Sequence, residues 1–114
     1  MYKYYHEDKE IKIKVADTFF SRFKGLMGRR EIKEDEGLLL LPCNSIHTFF
    51  MNFHIDAVFL SKDNQIINII KDIPPWSLWP PVKGSTKVLE LKVGTADRLA
   101  IQRGEKLEFT PCTN

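Results

Sequence analysis

Cysteine is scarce in this 114-residue chain: Cys43 and Cys112 are the only two. They are too few for a disulfide framework. They also lack CxxC spacing, which excludes a zinc knuckle or a thioredoxin-type pair. One Cys43–Cys112 bridge is chemically open, and free thiols are the expectation in a reducing cytosol. Long apolar runs are missing too. The longest, around Leu38 to Leu41, falls far short of the roughly 20 residues needed to cross a bilayer. The opening MYKYYHEDKE places charge where a signal peptide would need an apolar core, so a cytoplasmic location is expected. An excess of one charge is absent as well. Lys and Arg number 17 against 15 Asp and Glu, and the resulting +2 gives no strong nucleic-acid signal. With Gly 6 and Pro 6, collagen-like or linker sequence is excluded. No HExxH, nucleophile elbow or phosphate-cradling glycine loop occurs. What remains is 43% hydrophobic and 28% charged, the composition of one globular domain over residues 1–114.

The apolar periodicity is mostly that of strands. In IKIKV, Ile11, Ile13 and Val15 alternate with lysines and face a core. Asp17 or Thr18 then caps a helix whose apolar face is Phe19, Phe20, Phe23, Leu26 and Met27. That helix ends near Gly28 in the mixed-charge stretch Glu31 to Glu36. From Gly37 the pattern becomes short β segments: GLLLLP, SIHTFFMNF, IDAVFLS, QIINIIK, KVLELKV and KLEFT. Lys62-Asp63-Asn64 supplies hairpin turn chemistry. DIPPWSLWPPVKGST, with four prolines, reads as a long surface loop because proline cannot donate to a ladder. Thr95 is placed as the N-cap of a second short helix carrying Leu99 and Ile101. The fold class expected is mainly β: a small single-domain β-barrel or sandwich, with two short helices covering an end or edge. A parallel α/β sheet fits poorly, because the helices do not alternate with the strands.

Three constellations could carry chemistry. Cys43, His47 and Met51 recur every four residues and are ligand types that copper(I) prefers. In an extended strand, four residues span about 13 Å, which spaces these groups too widely to share an ion. His47 with Asp56 or Glu90 offers imidazole and carboxylate for acid/base work, with Arg22 or Arg29 as the nominated partner of a buried carboxylate. The alternative is that Asp56 and Glu90 make structural salt bridges or bond loop backbone. Trp76 and Trp79, braced by prolines, suit a loop that grips a partner, or one that folds back as a lid.

The stretch PCNSIHTFFMNFHIDAVFLSKDNQIINI, preceded by RFKGLMGRR and followed by KVLELKVGTADRLAIQRGEKLEF, resembles the DUF-192 family of uncharacterised bacterial and archaeal proteins. The likeness runs from about Thr18 to Phe109. Its family-like positions are Arg22, Gly25, Leu26 and Met27, then His47, Thr48, Phe50 and Met51, Ile55 and Asp56, Leu89 and Glu90, and Gly94 and Gly104. His54 stands where a proline is common, and many relatives carry an N-terminal export or anchor segment. The resemblance implies a compact β structure with short helices, and no established reaction, cofactor or substrate.

The expectation for function is therefore a monomeric or weakly associating domain that binds a small ligand or a protein without catalysis. Its candidate site comprises Arg22, His47, Phe50, Asp56, Trp76, Trp79 and Glu90 at the open end of the barrel. The alternatives are a small hydrolase-like or transferase-like enzyme using His47 with Asp56 or Glu90, and metal binding through Cys43, His47 and Met51.

Overall fold

The computed structural model describes residues 2–6 and 9–112. Its strands are β1 (Tyr2–His6), β2 (Lys9–Ala16), β3 (Glu36–Leu40), β4 (Ile46–His47), β5 (Ile55–Leu60), β6 (Ile66–Ile73), β7 (Leu78–Trp79), β8 (Lys87–Lys92) and β9 (Thr110–Pro111), with helices α1 (Phe19–Lys24) and α2 (Thr95–Arg98). Seven strands form one sheet in the order β6-β5-β8-β3-β2-β1-β9, and β4 pairs with β7 in a separate two-stranded ribbon. The protein is thus mainly β with two short helices, as its sequence pattern predicts. The sheet is open, ending on β6 and β9, rather than closed into a barrel.

Pairing is mostly antiparallel. The hairpin β5–β6 turns where the Lys62-Asp63-Asn64 chemistry places it, with Asn64 at a φ of 67°. One pair departs from expectation: β2 and β3 run parallel, with α1 in the crossover between them. That single parallel pair makes the sheet mixed.

Both faces of the sheet are buried. Alternation sends Ile11, Ile13, Leu39, Val58, Leu60, Leu89 and Leu91 to one face, where α2 and the segment through Leu107 cover them. The other face gathers Ile55, Ala57, Phe59 and Val88 under Leu26, Ile32, Ile46 and Met51.

Two local expectations are corrected. Thr95 does not cap α2; Gly94, in the left-handed region, holds the N-cap and Thr95 is the first helical residue, buried. The segment SIHTFFMNF is extended only at Ile46–His47. At Thr48 the chain turns: Met51 N–H donates to Thr48 O at 3.2 Å, and Phe50 adopts a φ of 62°.

Candidate functional site

α1 forms because Thr18 and Ser21 make a reciprocal capping box: Ser21 N–H donates to Thr18 Oγ1 and Thr18 N–H to Ser21 Oγ, both at 3.0 Å. It stops after six residues at Gly25, whose φ of 47° and ψ of −123° strain any L side chain. The helix leaves its phenylalanines on the surface. Phe19, Phe20 and Phe23 all stay exposed, Phe20 at 74%, and only Leu26, beyond the helix, reaches the core. The expectation of a packed aromatic face is therefore overturned.

The exposed rings meet others from two more segments. Phe23 lies 5.5 Å from the His47 ring, which stacks on Phe49 at 5.1 Å. Phe49 lies 6.1 Å from Trp76, and Trp76 lies 4.7 Å from Phe50. Leu78, opposite His47 in the β4–β7 ribbon, is exposed too. The result is one outward apolar face, with a shallow groove of about 460 Å³ between Phe20, Phe23, Met27 and Phe50 that Lys24 also borders.

Thr48 assembles this face. It is fully buried; its Oγ1 donates to Pro74 O at 2.7 Å and accepts from Ser77 N–H at 2.8 Å. Its backbone N–H donates to Ser77 O at 2.8 Å and its carbonyl accepts from Trp76 N–H at 3.0 Å. The proline loop is thereby clamped to the turn that presents Phe49 and Phe50. Gly28 N–H donates to Phe50 O and Asn52 Nδ2 to Arg29 O, which ties the α1 segment to the same turn.

Phe50 and Trp76 share an unusual backbone. Both are bulky, both are exposed at 60% and 62%, and both sit at positive φ, 62° and 63°. Glycine or asparagine takes this conformation more cheaply; for other residues it costs on the order of 1–3 kcal/mol. Trp79 diverges from its neighbour, half-buried against the apolar cluster beneath the face, so only one of the two indoles is presented.

Beneath the rings lies a cavity of about 40 Å³, bordered by Arg22, Cys43, His47, Met51 and Glu90. Glu90 is 2% exposed, and its Oε1 has no hydrogen-bond partner. Burial alone pushes its carboxyl up to about 8, so it is protonated near neutrality. The Gly25 backbone covers this carboxyl: a Cβ there would lie 3.6 Å from Glu90 Oε1, in ordinary van der Waals contact. Of the two nominated ion partners, Arg22 instead donates from Nη1 to Asp17 O at 3.1 Å, and Arg29 pairs with Glu36 at 2.8 Å.

Asp56 belongs elsewhere. It sits opposite Leu91 while its neighbour Ala57 sits opposite Glu90, so the two carboxylates project from opposite faces of the sheet. Asp56 Oδ2 accepts from Gly94 and Ala96 N–H, and Oδ1 from Asp72 N–H, each at 3.0 Å. It caps α2 and organises the end of β6. A His47–Asp56 dyad is not assembled; His47 and Glu90 do share one cavity.

The copper set is committed to other bonds. Cys43 Sγ donates to Ser45 O at 2.9 Å, and burial raises the thiol, so it is held protonated. His47 Nδ1 accepts from Phe49 N–H at 3.3 Å, and Met51 is packed in the core. The turn at Thr48 brings these three residues to one cavity, against the spacing expected of a continuous strand. Among the described residues, no group of three or more His, Cys, Asp or Glu side chains is arranged to hold a metal ion. Both cysteines are free thiols. Among the described residues, no helix is long and apolar enough to cross a membrane.

Sequence reasoning missed Thr48 as the organiser, and Phe19, Phe20, Phe23, Phe49 and Leu78 as surface. A signal was present. Residues 18–30, 43–53 and 73–82, the segments that build this face, contain no acidic residue, although the chain has 15.

An open mixed sheet with both faces buried, bearing an aromatic surface over a carboxyl-floored cavity, defines a small β domain of recurrent type. The chain belongs to the family described as Uncharacterized ACR, COG1430 (DUF192), whose model matches residues 3–109. It is 33% identical over 103 residues to a UPF0127 protein of Thermococcus sibiricus, covering 86% of this chain and 66% of that protein. A UPF0127 protein of Pyrococcus furiosus is 31% identical over 108 residues, with 89% of this chain and 90% of that one covered. The chain thus spans just under two-thirds of the Thermococcus relative and most of the Pyrococcus one. A solved protein of unknown function from Novosphingobium aromaticivorans superposes with a TM-score of 0.80 at 28% identity, covering 88% of this chain and 76% of that one.

Proposed function

We propose that this protein is a non-catalytic binding domain whose recognition surface is the aromatic face built by α1, the Thr48–Met51 turn and the Trp76 loop. One observation carries the reading. Phe50 and Trp76 are held against each other, exposed, at backbone conformations that bulky residues rarely adopt. Strain kept at a solvent-facing aromatic pair is a mark of function rather than of packing, since folding alone favours glycine there. Contiguous exposed apolar surface on a small domain points the same way. Binding of Nile red, an uncharged probe of apolar surface, tests the reading. The native protein should bind it saturably with a blue shift, and the double variant Phe20→Ser/Phe50→Ser should lose that binding. No binding by the native protein, or equal binding by the variant, contradicts it.

A second reading rests on Glu90. A protonated carboxyl beside His47 could donate a proton to a small substrate while the imidazole accepts one. This hydrolase-like or transferase-like chemistry would rely on those two side chains alone, because the protonated Cys43 thiol is a poor nucleophile. It predicts turnover abolished by Glu90→Gln. The small cavity and the covering Gly25 backbone favour binding over this alternative.

A further inference from the structure

Basic residues sit among the rings of the aromatic face, with the exposed carboxylates of Asp17 and Asp72 at its margins, Asp72 bordering a groove with Leu78. Its three segments contribute Arg22, Lys24, Arg29 and Arg30 and no acidic residue. Arg29 is neutralised by Glu36 at 2.8 Å. Arg22, Lys24 and Arg30 make no ion pair among the described residues, and Lys24 borders the groove between Phe20 and Phe50. Glu90 lies below, buried and protonated, and adds no opposing field.

Several polar groups of this face are spent internally. Thr48 Oγ1 and the Ser77 backbone bond each other, Asn52 Nδ2 bonds Arg29 O, and His47 Nδ1 bonds Phe49 N–H. A protein partner is normally met by a polar rim of free hydrogen-bonding groups around a buried centre. Here the outward groups are mainly rings, one leucine and unpaired cations. Nucleic-acid stacking needs a platform of near-parallel rings, whereas Trp76 is tilted by 33° to Phe49 and by 59° to Phe50. Protruding Phe, Trp and Leu side chains with Lys and Arg beside them are the combination that seats in the headgroup and acyl boundary of a bilayer.

We infer that the aromatic face docks on an anionic lipid bilayer surface, Phe20, Phe50, Trp76 and Leu78 entering the interface while Lys24, at the edge of the groove, meets the lipid phosphates. This rests on the recognition-surface reading above and names its partner. Attraction to anionic headgroups adds to apolar insertion, so binding requires both and weakens with salt.

The test is co-sedimentation of the full chain with phosphatidylcholine vesicles, with and without about a third phosphatidylglycerol, in low and high salt. Sedimentation with the anionic vesicles, lost in high salt and accompanied by a blue shift that Trp76→Phe removes, is the expected result. Phe20→Ser/Phe50→Ser should weaken binding by about tenfold or more. Lys24→Glu should weaken it by roughly fivefold, with folding unchanged for both exposed sites. Equal binding to uncharged vesicles overturns the proposal, as does binding that the Phe20→Ser/Phe50→Ser variant retains. No sedimentation, with Nile red still bound, overturns the lipid partner and leaves the recognition surface standing. No Nile red binding removes both. Tight binding of a single-stranded oligonucleotide, or a dimer that hides Trp76, without vesicle binding assigns the face to another occupant and overturns the proposal.

Discussion

Strands β5 and β8 carry two buried carboxyl groups one register step apart, and the molecule treats them in opposite ways. On the face under α2, Asp56 accepts three backbone N–H groups and is fully integrated into the fold. On the face under α1, Glu90 leaves Oε1 without a partner over a cavity. The helices repeat the contrast: α2 buries Thr95 and Ala96, whereas α1 has no buried residue. One side of the sheet is built for stability. The other retains an orphan polar atom, exposed rings and strained aromatics, features that cost stability and therefore point to use.

The comparison can be broken most decisively at Asp56. Asp56→Ala orphans three backbone donors in the interior and should cost about 3–5 kcal/mol in urea unfolding. An effect below roughly 1 kcal/mol would deny the α2 side its structural role. Glu90→Gln probes the other side through pH. Burial pushes the folded carboxyl up to about 8 from its ordinary 4.5, so over that interval the native state holds the proton and the unfolded state releases it. Stability must then fall as pH rises from about 4.5 to about 8, by at most roughly 1.4 kcal/mol per pH unit. Glu90→Gln should flatten this slope and be the more stable protein above pH 8; an unchanged slope would mean that Glu90 is paired. Smaller still, Thr48→Val removes the hydroxyl that clamps the proline loop and should cost about 1–3 kcal/mol. It should also raise the mobility of Trp76 in fluorescence anisotropy, while loss of stability without that mobility would separate the clamp from the aromatic face.

The strands of the sheet were legible because Ile11–Ile13, Leu39–Leu40 and Val88–Leu91 follow simple alternation or buried runs that only a pleated core satisfies. The hairpin at Asn64 was legible from turn chemistry. The candidate site was legible only as a neighbourhood: Arg22, His47, Phe50, Trp76 and Glu90 lie in or around one cavity and face. Its arrangement was hidden for two physical reasons. Phe50 and Trp76 occupy conformations that local propensity assigns to glycine or asparagine, so neither turn could be placed from composition. The fate of Asp56 depended on a contact about 40 residues away in sequence, with Gly94 and Ala96, which no local pattern encodes. Phe19, Phe20 and Phe23 misled for a related reason. Their spacing satisfies a buried helix face, but α1 ends at Gly25 with all three rings left at the surface.

On the proposed reading, the rings over Glu90 are a working surface and not part of the core. The unfolding free energy of the double variant Phe20→Ser/Phe50→Ser tests it most directly. Stability within about 1 kcal/mol of the parent protein is predicted, because both rings are exposed and Phe50 is strained. A loss of about 5 kcal/mol or more, the cost of deleting two packed phenylalanines, would place them in the core and contradict the account.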